Sequence, residues 1–170
     1  MKFLLIVSCV WAFSFGLIKG QLTGIPADVV ASIRLLLCVL TFLPILLINK
    51  QCKPSLKLML LGALQFGVMY LAYIQSYQYL PGYLVAVFTI FTPLYVFLIN
   101  AIISKSATIK TFIPIVLSIS GAAIIVFKSP EQSQFLQGFL LLQVANIAFA
   151  IGQVSYKYLA KLQSDAENML

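Results

Sequence analysis

The chain has 170 residues, of which 62% are hydrophobic and 9% charged, against roughly 45–50% apolar and about 25% charged residues in a soluble domain. With a mean hydropathy of +1.05, a water-soluble globule is excluded. The absence of His removes the base of His-dependent triads and the commonest zinc ligand. The net charge of +7 would point to nucleic acid in a soluble protein, but here the cations have to be read by their place relative to the apolar runs, and no nucleic-acid partner is expected.

A transmembrane helix needs about 20 mostly apolar residues, and six such runs follow one another. The first, Phe3 to Ile18, begins after Lys2 and superficially resembles a secretory leader with a cleavage box at Cys9. The apolar stretch before Cys9 is too short for such a leader and the run continues unbroken, so it is read as a helix. Gly16 and Gly20 in and just beyond it are spaced as a GxxxG pair, which predicts close packing. Gly20, Gly24 and Pro26 then mark a turn.

The second run, Val29 to Ile48, holds Arg34, the one ionisable group well inside any run. A charge at that depth is costly and usually faces a bundle interior or a water-filled cavity. Arg34 is expected either to neutralise an anionic substrate group or to snorkel outward to Asp28, with Cys38 and Thr41 on its face at helical spacing. The third run, Leu58 to Tyr79, follows a basic loop with Pro54 and places Tyr70, Tyr73 and Tyr77 on one face, with Gln65 at a different level. Tyr77 and Tyr79 suit an interfacial belt, leaving Tyr70 and Tyr73 as binding candidates.

The fourth run, Tyr83 to Ile103, carries Pro93 near its centre. Proline cannot donate to the carbonyl four residues earlier, so Thr89 is expected to present a free acceptor at mid-depth, either bordering a transport site or satisfied by Thr92 or a neighbouring helix. The fifth run, Thr111 to Phe127, is featureless by comparison. In the sixth, Phe135 to Tyr156, Gln143, Asn146, Ala150, Gln153 and Lys157 recur at intervals of three and four, one polar or small face that either lines a cavity or bonds to another helix.

A cytoplasmic N-terminus would put Lys2, Lys50, Lys53, Lys57, Lys105, Lys110, Lys157 and Lys161 on the cytoplasmic side and only Lys19 and Lys128 opposite. That bias predicts both termini in the cytoplasm of a multi-pass protein of the cell (inner) membrane. The three cysteines, Cys9, Cys38 and Cys52, have no metal-site or redox spacing.

Shifting the chain by 136 residues lays Phe3-Leu4-Leu5 on Phe139-Leu140-Leu141, Ala12-Phe13 on Ala148-Phe149 and Gly16 on Gly152, six identities over 18 positions. The sixth run thus reads as a restart of the first after five helices, and an odd count inverts the second copy in the membrane. The expected division is a five-helix repeat at 1–127, a non-cytoplasmic loop at 128–134, and the first helix of a second repeat with a cytoplasmic tail at 135–170. A full second repeat would need four more helices, about 120 residues.

Taken together, Trp11-Ala12-Phe13-Ser14-Phe15, Arg34, the segment from Gly62 through Gln65 to Tyr70, the segment from Phe88 through Thr89 and Pro93 to Tyr95, and the segment Asn146 to Gln153 leading to Tyr156-Lys157 resemble the drug/metabolite transporter superfamily. The likeness is to its EamA-domain, carboxylate/amino acid/amine branch, and within that to bacterial biotin-uptake carriers. The resemblance implies an all-α integral membrane protein, ten helices in two inverted repeats with substrate between them, of which this chain carries six.

The implied activity is secondary transport of a small carboxylate such as biotin or an amino acid by alternating access, with no cofactor and no catalytic or metal residues. The candidate substrate-binding residues are Trp11, Arg34, Gln65, Tyr70, Tyr73, Thr89, Pro93, Asn146 and Gln153. Partners would be the metabolite, the bilayer, and a second copy or the missing second repeat. The competing expectation is a six-helix binding subunit of a vitamin importer driven by a separate ATPase, which ATP-dependent uptake would reveal. No carboxylate lies inside any run, so acid–base catalysis within the membrane has no groups to use.

Overall fold

The computed structural model describes residues 2–21, 24–48, 55–104, 108–127 and 134–167. Six helical units follow one another, and no strand occurs among the described residues: α1 (Lys2–Gln21), α2 (Ala27–Ile48), α3, α4, α5 (Ile109–Phe127) and α6 (Phe135–Glu167). α3 is a composite of an α-helix at Leu56–Gly62, a π-helical stretch at Ala63–Val68 and an α-helix at Met69–Ser76. α4 is an α-helix at Gly82–Phe88, a 3₁₀ turn at Thr89–Phe91 and an α-helix at Thr92–Ser104. The helices cover the six apolar runs, but α1 continues through Gly20, expected in a turn, to Gln21, and α6 continues past Tyr156 to Glu167. Most of the connecting residues, Cys52 among them, lie outside the described residues.

Five stretches are long and apolar enough to cross a bilayer, Ala27–Ile48, Leu56–Ser76, Gly82–Ile103, Ile109–Val126 and Phe135–Ala160, and Phe3–Ile18 is a shorter apolar helix. Their outward faces are what hydrocarbon requires: Phe3, Leu47, Ile48 and Ile102 are more than 70% exposed. A surface of this kind is incompatible with water. The interior, conversely, holds small and polar groups. Ala31, Ala145, Ala150 and Ser76 are at most 2% exposed, and Gln143 and Asn146 are buried with them. Lipid tails provide no hydrophobic drive between helices, so close backbone approach and buried hydrogen bonds have to hold the bundle.

The helix starts follow from local chemistry. At α2, the amides of Val29 and Val30 both donate to Pro26 O, at 3.1 and 3.2 Å, and Asp28 in the first turn complements the positive helix end. At α4, Leu84 and Val85 donate to Pro81 O, whose fixed φ of −68° suits the entry to a helix.

α6 is the central element, packed along α3 and along the second half of α4. α2 covers α3, α5 flanks α4, and α1 meets the first half of α4. Two glycines permit the α6–α3 approach. A Cβ at Gly138 would stand 2.9 Å from Tyr79 Cβ, and one at Gly152 would run into Gln65, 2.6 Å from its Cγ. The glycines of α1 behave differently from expectation: a Cβ at Gly16 or Gly20 meets nothing within 4 Å. The GxxxG pair therefore makes no close contact with the described residues, because α1 touches the bundle through another face.

Tyr77 is also a correction. Rather than sitting in an interfacial belt it is 4% exposed, within the cluster formed by Ile74, Leu80, Leu84 and Phe88. Thr41 donates to its own helix at Leu37 O (2.8 Å) and is exposed, as is Cys38, so these two do not share the environment of Arg34.

Gly152→Ala is expected to destabilise the detergent-solubilised chain by about 1–3 kcal/mol through overpacking against Gln65. Gly16→Ala should be neutral or stabilising by up to about 1 kcal/mol, the helix-propensity gain alone. Thermal loss of monodispersity compares the two, and equal effects would refute the assigned packing.

Candidate substrate cavity

One cavity of about 530 Å³ opens between α1, α2, α3, α4 and α6, within the size range of small-molecule sites. α1 contributes Val10, Trp11, Ser14 and Phe15, and α2 contributes Arg34. Phe66, Met69, Tyr70 and Tyr73 come from α3; Thr89, Thr92 and Pro93 from α4; Ala145, Asn146 and Phe149 from α6. Both irregular stretches of backbone reach it, the π-helical turn through Phe66 and the 3₁₀ turn through Thr89. Non-α backbone at membrane depth is tolerated where protein or a cavity, not lipid, surrounds it, and π-helical turns recur at functional sites.

The α4 wall is set by Pro93. In an unbroken helix Thr92 N–H would bond Phe88 O, and residue 93 would bond Thr89 O. Pro93 has no N–H. The turn tightens, and Thr92 N–H donates to Thr89 O instead. The Thr89 carbonyl, expected to stay free, is therefore satisfied inside the turn, and the Phe88 carbonyl, which accepts from Phe91 N–H in the same 3₁₀ turn, keeps a second lone pair. Asn146 reaches across from α6 and donates to it from Nδ2 at 2.9 Å, while its Oδ1 accepts from Thr92 Oγ1 at 3.0 Å. Asn146 is 3% exposed, so its amide is buried with both of these bonds made inside the protein, as a polar group at membrane depth requires.

A turn away on α6, Gln143 Oε1 accepts from Tyr95 Oη at 3.0 Å, and its buried Nε2 finds no partner among the described residues. The polar face read from the α6 sequence thus divides. Gln143 and Asn146 hold α4, Ala150 is fully buried, and Gln153 and Lys157 are exposed.

The opposite character is found on α2 and α3. The Arg34 guanidinium carbon lies 5.1 Å from the centroid of the Tyr70 ring, a cation–π distance. Among the described residues it forms no ion pair, Asp28 included. The alternative of an outward salt bridge is therefore not adopted. Tyr73 and Tyr77 share a hydrogen bond between their hydroxyls at 2.8 Å, and Phe15 of α1 meets Tyr73 edge-on with centroids 6.1 Å apart. None of the fifteen lining residues is acidic, so the one charge on the wall is positive.

Of the residues singled out from sequence, Trp11, Arg34, Tyr70, Tyr73, Thr89, Pro93 and Asn146 lie together on this wall. Gln65 and Gln153 do not. Gln65 packs against Gly152, and Gln153 sits exposed beyond it. Ser14 and Thr92 are polar lining residues absent from the sequence-based binding candidates, where Thr92 figures only as a group that satisfies the Pro93 kink. Both fell within segments that carried the family resemblance, and Thr92 is flagged locally by its place before Pro93.

An all-helical, multi-pass membrane protein with a central cavity lined by one cation, aromatic rings, hydroxyls and the amide of Asn146 is the class that this fold and site define. The chain belongs to the EamA-like transporter family, whose model matches residues 1–127. It is 39% identical over 164 residues to a protein of Pseudomonas aeruginosa PAO1 called "Probable biotin transporter", covering 95% of this chain and 57% of that one. It is 38% identical over 162 residues to the "Biotin transporter" of Escherichia coli K12, covering 94% of this chain and 54% of that one. To the "Biotin transporter" of Salmonella typhimurium LT2 it is 37% identical over 162 residues, with the same coverages. The chain thus spans a little over half the length of the curated relatives it matches. No solved structure matches it significantly.

Replacing Asn146 by Leu removes the second donor to the Phe88 carbonyl and leaves the Thr92 hydroxyl without its acceptor, and should destabilise the chain by about 1–3 kcal/mol. Gln153→Leu, at an exposed position, should change stability by less than about 0.5 kcal/mol. Melting of the two purified variants side by side checks the assignment.

Proposed function

We propose that this chain forms one wall of a secondary carrier for a small carboxylate, with biotin the leading candidate. The observation that carries the reading is Arg34: a guanidinium held against Tyr70 on a cavity wall without an acidic residue. Arg34 is half-buried, where a cation without a counter-ion carries a desolvation cost, and a ligand carboxylate would supply the missing charge with two good acceptors for the guanidinium fork. The names of the relatives agree with a ligand of this kind, and the aromatic rings of Trp11, Phe15 and Tyr70 offer apolar surface for its remainder. Movement across the membrane would follow from exposing the cavity alternately to each side, without covalent chemistry.

We further propose that a second five-helix unit of inverted orientation completes the cavity. The offset of 136 residues supports it, and so does the exposure of Cys9, Ala12 and Gly16 on α1. Their counterparts at that offset, Ala145, Ala148 and Gly152 on α6, are buried. The lysine distribution supports cytoplasmic termini in the cell (inner) membrane.

Binding of labelled biotin to the chain in lipid nanodiscs should weaken at least about tenfold in Arg34→Gln and less in Arg34→Lys, which keeps the charge but loses the planar fork. Biotin methyl ester should bind the unaltered chain poorly. Equal binding of biotin by the Arg34→Gln protein would remove the basis of the reading.

Uptake in biotin-starved bacteria that lack their own carrier tests the second unit. We expect transport from this chain extended by the remaining helices of the Pseudomonas relative, and not from the 170 residues alone. Transport by the 170 residues alone would show that copies of the chain or other partners complete the cavity.

A further inference from the structure

The hydrogen bonds of the α4 break leave it with a definite polarity. Asn146 Nδ2 donates to Phe88 O. A carbonyl accepts and never donates, so this bond fixes which way the amide points, and Oδ1 is the atom facing Thr92. Thr92 Oγ1, 3.0 Å from Oδ1, must then spend its single proton on it. Thr89 Oγ1 spends its own proton on Ala86 O at 2.7 Å. Thr92 N–H is committed to Thr89 O, and Pro93 has no N–H. Each hydroxyl carries one donor and two acceptor lone pairs. With both protons used inside the protein, the two hydroxyl oxygens keep acceptor capacity only. The second N–H of Asn146 is the one side-chain donor left beside them.

We infer that the α4 break, through Thr89, Thr92 and Asn146, is a subsite for a neutral group bearing N–H donors next to a carbonyl, an amide or urea. Its polarity is the reverse of that at Arg34. The inference rests on the carboxylate reading above and narrows it. The ligand is a carboxylate whose far end carries N–H groups that donate to Thr89 and Thr92, and a carbonyl that accepts from Asn146. A charged ammonium would also donate to two acceptors, but it would bring a second positive charge into a cavity whose wall already carries Arg34 and no acid. The substrate class is therefore a monoanion with a neutral polar head, and zwitterionic amino acids fall outside it.

A double comparison on the full chain in nanodiscs tests this, with biotin and a biotin methylated on its ring nitrogens as probes. Methylation removes the donors and leaves the carboxylate. The unaltered chain should bind the methylated probe about tenfold more weakly, the value of roughly one hydrogen bond to a buried site. Thr89→Val, nearly the same volume without the oxygen, should weaken biotin by a similar factor but leave the methylated probe within about twofold. Thr89→Ser should restore biotin binding, which separates loss of the oxygen from loss of folding. Arg34→Gln should weaken both probes alike.

The subsite is overturned if the methylated probe binds the unaltered chain as tightly as biotin, or if Thr89→Val weakens both probes equally. If the methyl ester of biotin binds as well as biotin while the Thr89 pattern holds, the carboxylate reading fails and the N–H subsite stands. No biotin binding by this chain, and none by the chain extended with the remaining helices of the Pseudomonas relative, overturns both.

Discussion

The structure depends on a constraint that lipid imposes on backbone. A carbonyl within the hydrocarbon must find a donor in the protein, since no water is there to supply one. Pro93 breaks the ladder of α4, the 3₁₀ turn before it answers with Thr92 N–H to Thr89 O, and Asn146 on α6 adds a donor to Phe88 O at 2.9 Å. The bond ties the break in one helix to the middle of another, so the two cannot separate or slide without exposing a polar group. Tyr95 and Gln143 add a second tie a turn away. α6 is thereby fixed against α4, and Gly138 and Gly152 let its other side close on α3. The cavity is the space left over where the π-helical turn of α3 and the 3₁₀ turn of α4 prevent tight packing.

The cavity wall carries unlike chemistries on its two sides. On α2 and α3, the cation of Arg34 rests on the Tyr70 ring, which softens the cost of burial without cancelling the charge as an acid would. The neighbouring tyrosines satisfy one another through a shared hydroxyl bond and leave the guanidinium available. On α4 and α6, the polar groups are neutral and already partly bonded, so they discriminate by direction of hydrogen bonding rather than by charge. Under the proposed reading, a site of this composition would select by complementarity at two ends of a ligand, with the apolar rings between them tolerating what joins those ends.

α1 stands apart. It lends Trp11, Ser14 and Phe15 to the cavity, yet Gly16 and Gly20 touch nothing and Phe3, Phe13 and Trp11 are more than 60% exposed. Its sequence echo α6 is the most enclosed helix of the bundle. The same kind of sequence is therefore lodged once in an interior groove and once at the edge, and only the surroundings differ.

The six helices were legible because a bilayer enforces length and apolarity, properties that composition displays directly. The Pro93 break and the singular position of Arg34 were equally local, each following from one residue's chemistry. Tertiary structure decided everything that depends on which face meets which neighbour. Helical periodicity put Gln143, Asn146 and Gln153 on one face, but only packing showed Asn146 committed to Phe88 and Thr92 and Gln153 facing outward. It placed Gln65 beneath Gly152 rather than in the cavity, buried Tyr77, and left the glycine pair of α1 bare. Nor did the sequence reveal the π-helical turn of α3, since a widened turn depends on what lies against it. Spacing along a helix fixes the direction of a side chain relative to its own axis, whereas the rotation of that axis toward a neighbour or toward lipid is settled only when all the helices pack at once.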